Sequence, residues 1–199
     1  MQFFPEPDTI LNVFSLDPGT TNLGLACNTY DLRTKAILNV WAHTLNSDKL
    51  PHMSEFDVEN HTERAERIYR LAVCTLKYME LFRPHVLACE APFFNKLRPG
   101  AYAALLECIT TLRLVINKAY PEIPFVLIEP SLVKKCIGAN LIAKKDNVKD
   151  QVKEAVLSNI NLTSVMNLDN RLYSSPDKLD EHSIDAIAVG YSYLKLYHP

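Results

Sequence analysis

The sequence predicts an α/β domain: a five-stranded mixed sheet with helices on both faces. Two observations carry that prediction. Short apolar, β-rich runs and helical patterns alternate in the order β-β-β-α-β-α-β-α-α-α; the three leading strands imply antiparallel neighbours, and the later strands, each reached through a helix, imply parallel crossovers. A length of 199 residues, 48% apolar and 22% charged, matches one globular domain with a core of its own, spanning 1–199.

Taken in order, residues 1–9 read as a flexible, proline-containing leader. Ile10–Leu16 (ILNVFSL) is a buried strand closed by Asp-Pro-Gly. Asn22–Tyr30 and Lys35–Thr44 read as two further strands, with turn residues at 31–34 between them. The polar, acidic stretch Asn46–Glu59 is expected to be a surface loop. Ile68, Leu71, Ala72, Thr75, Leu76 and Met79 recur at helical spacing, with Arg64, Arg67 and Arg70 on other faces, and Arg83-Pro84 ends that helix. His85–Cys89 (HVLAC) is a buried strand ending at Glu90, followed by a loop over 91–100. Ala101–Tyr120 is a helix apolar over much of its circumference, so it is either sandwiched in a core or shared with a partner subunit. Pro124–Ile128 is a strand, Ser131–Ile137 and Asp146–Ile160 are lysine-rich helices, and Leu179–Leu196 is the last helix.

With 21 Lys+Arg against 23 Asp+Glu, the formal charge of −2 excludes a generally basic nucleic-acid coat protein. The charge is uneven, however: residues 131–153 hold six Lys and two Asp, a local +4. Five widely spaced cysteines without a CxxC pair indicate neither a disulfide framework nor a zinc ribbon. The acidic, proline-bearing N-terminus lacks the pattern of a secretory signal, and no apolar run is read as approaching the ~18 residues that span a bilayer. A cytoplasmic protein with no membrane partner is expected.

Chemistry in sheets of this kind collects at the carboxyl ends of the strands. There, Asp17 ends the first strand and Glu90 the fourth, each after a run that must be buried; a buried carboxylate is costly unless it has a cation nearby. On the last helix, His182 and Asp185 are three residues apart and share a side. Three carboxylates and an imidazole suit Mg²⁺ or Mn²⁺. Each piece also has a plain reading, as a turn former, a strand end or a first-turn helix residue.

These segments, SLDPGTTNLGLA, LACEAPFF and DEHSIDAIAVGY, resemble the three signature segments of the RuvC family of Holliday junction resolvases, which have the RNase H-like fold. The resemblance spans roughly Ile10 to Tyr193. It implies a catalytic, metal-binding set of Asp17, Glu90, His182 and Asp185, with two Mg²⁺ or Mn²⁺ ions. It implies that Phe93, three residues after Glu90, wedges into the junction. In EPSLVKKCIGANLIAKK, Lys134 and Lys145 align with two lysines that contact DNA near the site, and Lys145, with Lys144, would neutralise charge on the phosphate. The implied reaction is paired symmetric nicking of four-way or related branched DNA by a two-fold homodimer, leaving 5′-phosphate and 3′-hydroxyl ends. The Ala101–Tyr120 helix is the candidate interface. The sequence departs from the family in its leader and its Asn46–Glu59 loop. His182 stands where the family also uses Asp, which favours Mn²⁺ and brings Asp180 or Glu181 into question as further ligands.

Other readings stay open at this stage. DPGTTNLG also resembles the phosphate turn of actin-like sugar kinases, although that architecture needs about twice this length and a second glycine-rich turn. A flap or fork nuclease of the same fold, or a non-catalytic junction-binding module, shares most of these features.

Overall fold

The structure is a computed structural model that describes residues 9–52, 62–94, 96–97, 99–139, 148–159 and 179–199. Its strands are β1 (Ile10–Asp17), β2 (Asn22–Asp31), β3 (Ala36–Asn46), β4 (Val86–Glu90) and β5 (Phe125–Ile128). Its helices are α1 (Glu63–Phe82), α2 (Pro99–Ala119), α3 (Pro130–Cys136), α4 (Val148–Asn159) and α5 (Glu181–Tyr197). Every strand and helix expected from the sequence is present, with ends shifted by a few residues. The sheet runs β3-β2-β1-β4-β5; β1–β2 and β2–β3 are antiparallel, β1–β4 and β4–β5 parallel. The short β-rich runs pair because each has an apolar face on both sides of the sheet, which only helices on both faces can cover.

Alternation divides the core in two. Phe14, Leu16, Leu25, Trp41, Leu87 and Cys89 pack with α1 and α2 on one face. Val13, Ala26, Val40, Ala42, Ala88 and Ile128 pack with α3, α4 and α5 on the other. Between β2 and β3 the chain turns on Asp31, whose carboxylate accepts the N–H groups of Arg33 and Thr34 at 2.8 and 3.2 Å. Thr62 caps α1, its hydroxyl oxygen accepting the Ala65 N–H, and Arg83 ends that helix in the left-handed region at φ 45° before Pro84.

Three expectations need correction or restriction. Arg70, read as lying on a face other than the apolar one, is itself buried: its Nε lies 2.9 Å from Glu66 Oε1, and its guanidinium donates to the Leu50 carbonyl at 2.9 Å. This buried pair ties α1 to the segment after β3, whose start is a 3₁₀ turn over Ser47–Lys49. Second, α2, at 21 residues, is long and apolar enough to cross a membrane by length and composition, contrary to the sequence estimate. Four of its residues, Cys108, Ile109, Leu112 and Ile116, enter the core, and Glu107 pairs with Arg64 of α1 at 2.7 Å. Third, of the expected leader only Thr9 is among the described residues, and its carbonyl accepts the Leu32 N–H at 2.8 Å. Half of the 46–59 loop, residues 53–59, lies outside them too.

Candidate active site

Strand register assembles the site. Asp17 pairs with Gly24 across β1–β2, and Gly24 pairs with Thr44 across β2–β3. On the other side, Glu90 lies one step beyond the Leu16–Cys89 pair and is itself paired with Ile128. Thr44, Gly24, Asp17 and Glu90 therefore form one row across the sheet, on the face that α5 covers, because side chains in register share a face.

The N-terminus of α5 settles on this row. Asp180 is its N-cap: Oδ1 accepts the Ser183 N–H at 2.9 Å and the Ser183 hydroxyl at 2.6 Å. The Thr44 hydroxyl donates to the same oxygen at 2.6 Å. Gly24 makes the close approach possible, since a Cβ there would lie 2.6 Å from the carbonyl carbon of His182. Seated in this way, His182 turns its ring to Asp17, with Nδ1 2.8 Å from Oδ2. The carboxylate makes the Nδ1–H tautomer the donor.

Electrostatics tie the remaining groups to the pair. Burial raises the Asp17 carboxyl, and the hydrogen bond and charge of His182 oppose that rise. The hydrogen bond to Asp17 raises His182 against the effect of its own burial, and the charges of Asp17, Asp180 and Glu181 add to the rise. Burial, followed by the negative charges of Asp17 and Asp185, pushes Glu90 up to about 8, with Lys134 opposing. Burial, then Asp17 and Glu181, pushes Asp185 up to about 7, opposed by His182 and Lys134. His182 thus touches Asp17 at the carboxyl end of β1, and Glu90 and Asp185 lie within electrostatic reach of Asp17 and of Lys134 on α3.

The set fits a divalent cation in charge and in donor chemistry. The three carboxylates are opposed, among the described residues, by the His182 imidazole and by Lys134, and the donors are hard oxygens and a nitrogen. Among the described residues, no group of three His, Cys, Asp or Glu side chains is drawn together as a ready metal cage; the closest pair is His182 Nδ1 and Asp17 Oδ2 at 2.8 Å. Asp180, weighed as a further ligand, instead caps the helix. That role also explains its chemistry: partial burial pushes its carboxyl up, but the hydrogen bonds from Ser183 and Thr44 outweigh this and hold it below the usual range.

Phe93 is 63% exposed on the loop after β4, beside Phe94, whose ring meets Tyr102 edge-on at 5.4 Å. Lys144 and Lys145 lie outside the described residues. Two participants were not identified from the sequence. Gly24 carried a signal, a glycine inside an otherwise β-rich run, which marks close backbone approach. Thr44 carried none without the register.

No family profile and no curated protein matches the sequence. Solved structures do match the fold. Thermus thermophilus RuvC in complex with a Holliday junction substrate aligns at TM-score 0.62 and 18% identity, over 94% of this chain and 98% of that one. A second Thermus thermophilus RuvC structure aligns at TM-score 0.63 and 20% identity over the same shares. The fold is RNase H-like. The yeast mitochondrial Holliday junction resolvase aligns at TM-score 0.59 and 10% identity, over 93% of this chain and 79% of that one. The similarity therefore extends to distinct Holliday junction resolvases sharing this fold.

Proposed function

We propose that this chain is a RuvC-like, metal-dependent endonuclease that nicks four-way and related branched DNA. One observation supports the proposal: Asp17 and Glu90 end the parallel pair β1 and β4 on the face that α5 covers, where His182 of α5 bonds Asp17 and Asp185 lies within electrostatic reach of Asp17 and Glu90. Asp17, Glu90, Asp185 and His182 would hold Mg²⁺ or Mn²⁺. The bound cation would supply Lewis-acid stabilisation of the phosphodiester and a more acidic water. The protein's own part is to orient and to balance charge. His182 Nδ1–H fixes the Asp17 carboxylate. The burial that favours protonated Glu90 and Asp185 makes both respond strongly to added positive charge. Lys134 sets an ammonium group where a phosphate would enter. Hydrolysis joins the water oxygen to phosphorus, and the 3′ oxygen leaves with a proton, giving 5′-phosphate and 3′-hydroxyl ends.

Symmetric nicking needs two sites, so the proposal includes a two-fold homodimer of a single nuclease domain. The state of α2 supports the dimer: Leu106 and Leu114, eight residues apart, are 45% and 66% exposed while four other residues of the helix are buried. Light scattering should then report about twice 22.6 kDa.

The test is cleavage of a synthetic four-way junction in Mg²⁺ and in Mn²⁺, with Y-fork and duplex controls. Paired nicks confined to the junction are expected, and Asp17→Asn should stop nicking while junction binding persists. Equal nicking by the wild type and Asp17→Asn refutes the mechanism. Preferred cutting of the Y-fork moves the substrate to other branched DNA.

A further inference from the structure

We infer that Thr44 is a positioning residue for this site: its hydroxyl, clamped on the Asp180 carboxylate, fixes the end of α5 that presents His182 and Asp185. The inference rests on the proposed nuclease reading and extends it to a residue outside the metal-binding set. Thr44 is on β3, two strands away from Asp17, and no other feature of the site requires a hydroxyl there. Yet it occupies the same transverse row as Gly24 and Asp17. Its hydroxyl donates to Asp180 Oδ1 at 2.6 Å, on the oxygen that also takes the Ser183 N–H and hydroxyl.

The arrangement holds the helix end at two points. Helix ends fray, because the first amides have no partner within the helix. Here Asp180 supplies the partner for Ser183, and the Asp180 carbonyl accepts the Ile184 N–H at 3.1 Å. A cap alone orders the helix internally; on the sheet, the Ser15 hydroxyl holds the Ala186 carbonyl at 2.7 Å, one turn beyond His182. Thr44 extends that hold to the first turn by anchoring the cap itself to β3. The His182 carbonyl, seated over Gly24, is the second point. Held at these points, the helix end presents the His182 ring to Asp17 Oδ2 at 2.8 Å.

Thr44→Val keeps the shape and removes the donor, whereas Thr44→Ser keeps the donor. Single-turnover nicking of a four-way junction by Thr44→Val should slow about tenfold, a fraction of the ~100-fold that a 1 Å misplacement can cost. Junction affinity measured without metal should stay within twofold of the wild type, a split that general destabilisation would not produce. Hydrogen exchange at the Ser183 and Ile184 amides should quicken about tenfold in Thr44→Val, and Thr44→Ser should return both readouts toward the wild type. A wild-type rate in Thr44→Val, or equal slowing in Thr44→Val and Thr44→Ser, overturns the inference. A wild type that nicks nothing overturns the nuclease reading instead, and exchange at the two amides then decides the clamp alone.

Discussion

Replacing Gly24 with alanine should disable the site while leaving the sheet folded. The added methyl carbon would lie 2.6 Å from the His182 carbonyl carbon and 3.1 Å from Asp17 Cβ. Carbon atoms in contact sit about 3.5–4.0 Å apart, so the α5 end must withdraw by about 1 Å. The obstacle is backbone, which cannot rotate aside as the tip of a long side chain can. Withdrawal along the hydrogen bond takes His182 Nδ1 and Asp17 Oδ2 from 2.8 Å to about 3.7 Å, too long for a hydrogen bond. A displacement of this size can cost ~100-fold in rate. Overpacking of this kind costs about 1–3 kcal/mol, within the usual reserve of 5–15 kcal/mol, so the variant should remain folded at 25 °C. The assay is single-turnover nicking of the four-way junction beside a urea melt of each protein. A folded Gly24→Ala that nicks within threefold of the wild type would refute the view that close seating of α5 positions His182.

Other perturbations test separate parts of the structure. Phe93→Ala removes a ring that is 63% exposed, so stability should change by less than about 0.5 kcal/mol. Opening of a 2-aminopurine-labelled junction should fall more than encounter does, and equal loss of both would refute a wedge role. Glu66→Ala leaves the buried Arg70 guanidinium without its carboxylate and should cost about 3–5 kcal/mol in urea melts; a cost below about 1 kcal/mol would mean that water reaches the pair. Asp31 sets an acid limit. Lost hydration raises its carboxyl, but hydrogen bonds from Arg33 and Thr34, with the Arg33 charge, outweigh this and hold it below the ordinary 3.8. Its folded-state value is thus depressed, so its stabilisation is full above pH 3.8 and is lost as pH falls through the lower folded-state value. Asp31→Asn should flatten the stability profile in that acid window and leave its slope above pH 5 unaltered, as measured by denaturant titration at each pH.

The elements could be read from the sequence, and the four candidate residues proposed from it, because each left a local mark. Asp17 and Glu90 each close a run too apolar to be exposed, and His182 and Asp185 share a helical side by spacing alone. What could not be read depends on which strand lies beside which. Thr44 looks like any strand threonine until β3 is registered against β2. Asp180 carries the same acidic signature whether it caps a helix or binds a metal; only the three donors converging on Oδ1 separate the two roles. Arg70 has a charge that argues for solvent, and its burial depends on Glu66 one turn back and on the Leu50 carbonyl, twenty residues away in sequence. The apolar girth of α2 was visible, but the division between core and exposed leucines follows from how it lies against α1.

The transverse row also acts as a ruler. Neighbouring strands are held about 4.8 Å apart by their backbone hydrogen bonds, so the spacing from Thr44 to Gly24 to Asp17 to Glu90 comes in fixed increments that side-chain chemistry cannot adjust. Loop length at the far end of the β2–β3 hairpin can drift without disturbing those increments. A slip of one residue between β1 and β2 cannot be absorbed: with Asp17 still facing α5, it would place Leu23 or Leu25 beneath the helix end where Gly24 now leaves room. Metric precision at this site is therefore a property of the pleated backbone, and strand register, more than the surrounding loops, is what must be preserved for the acids to stay opposed.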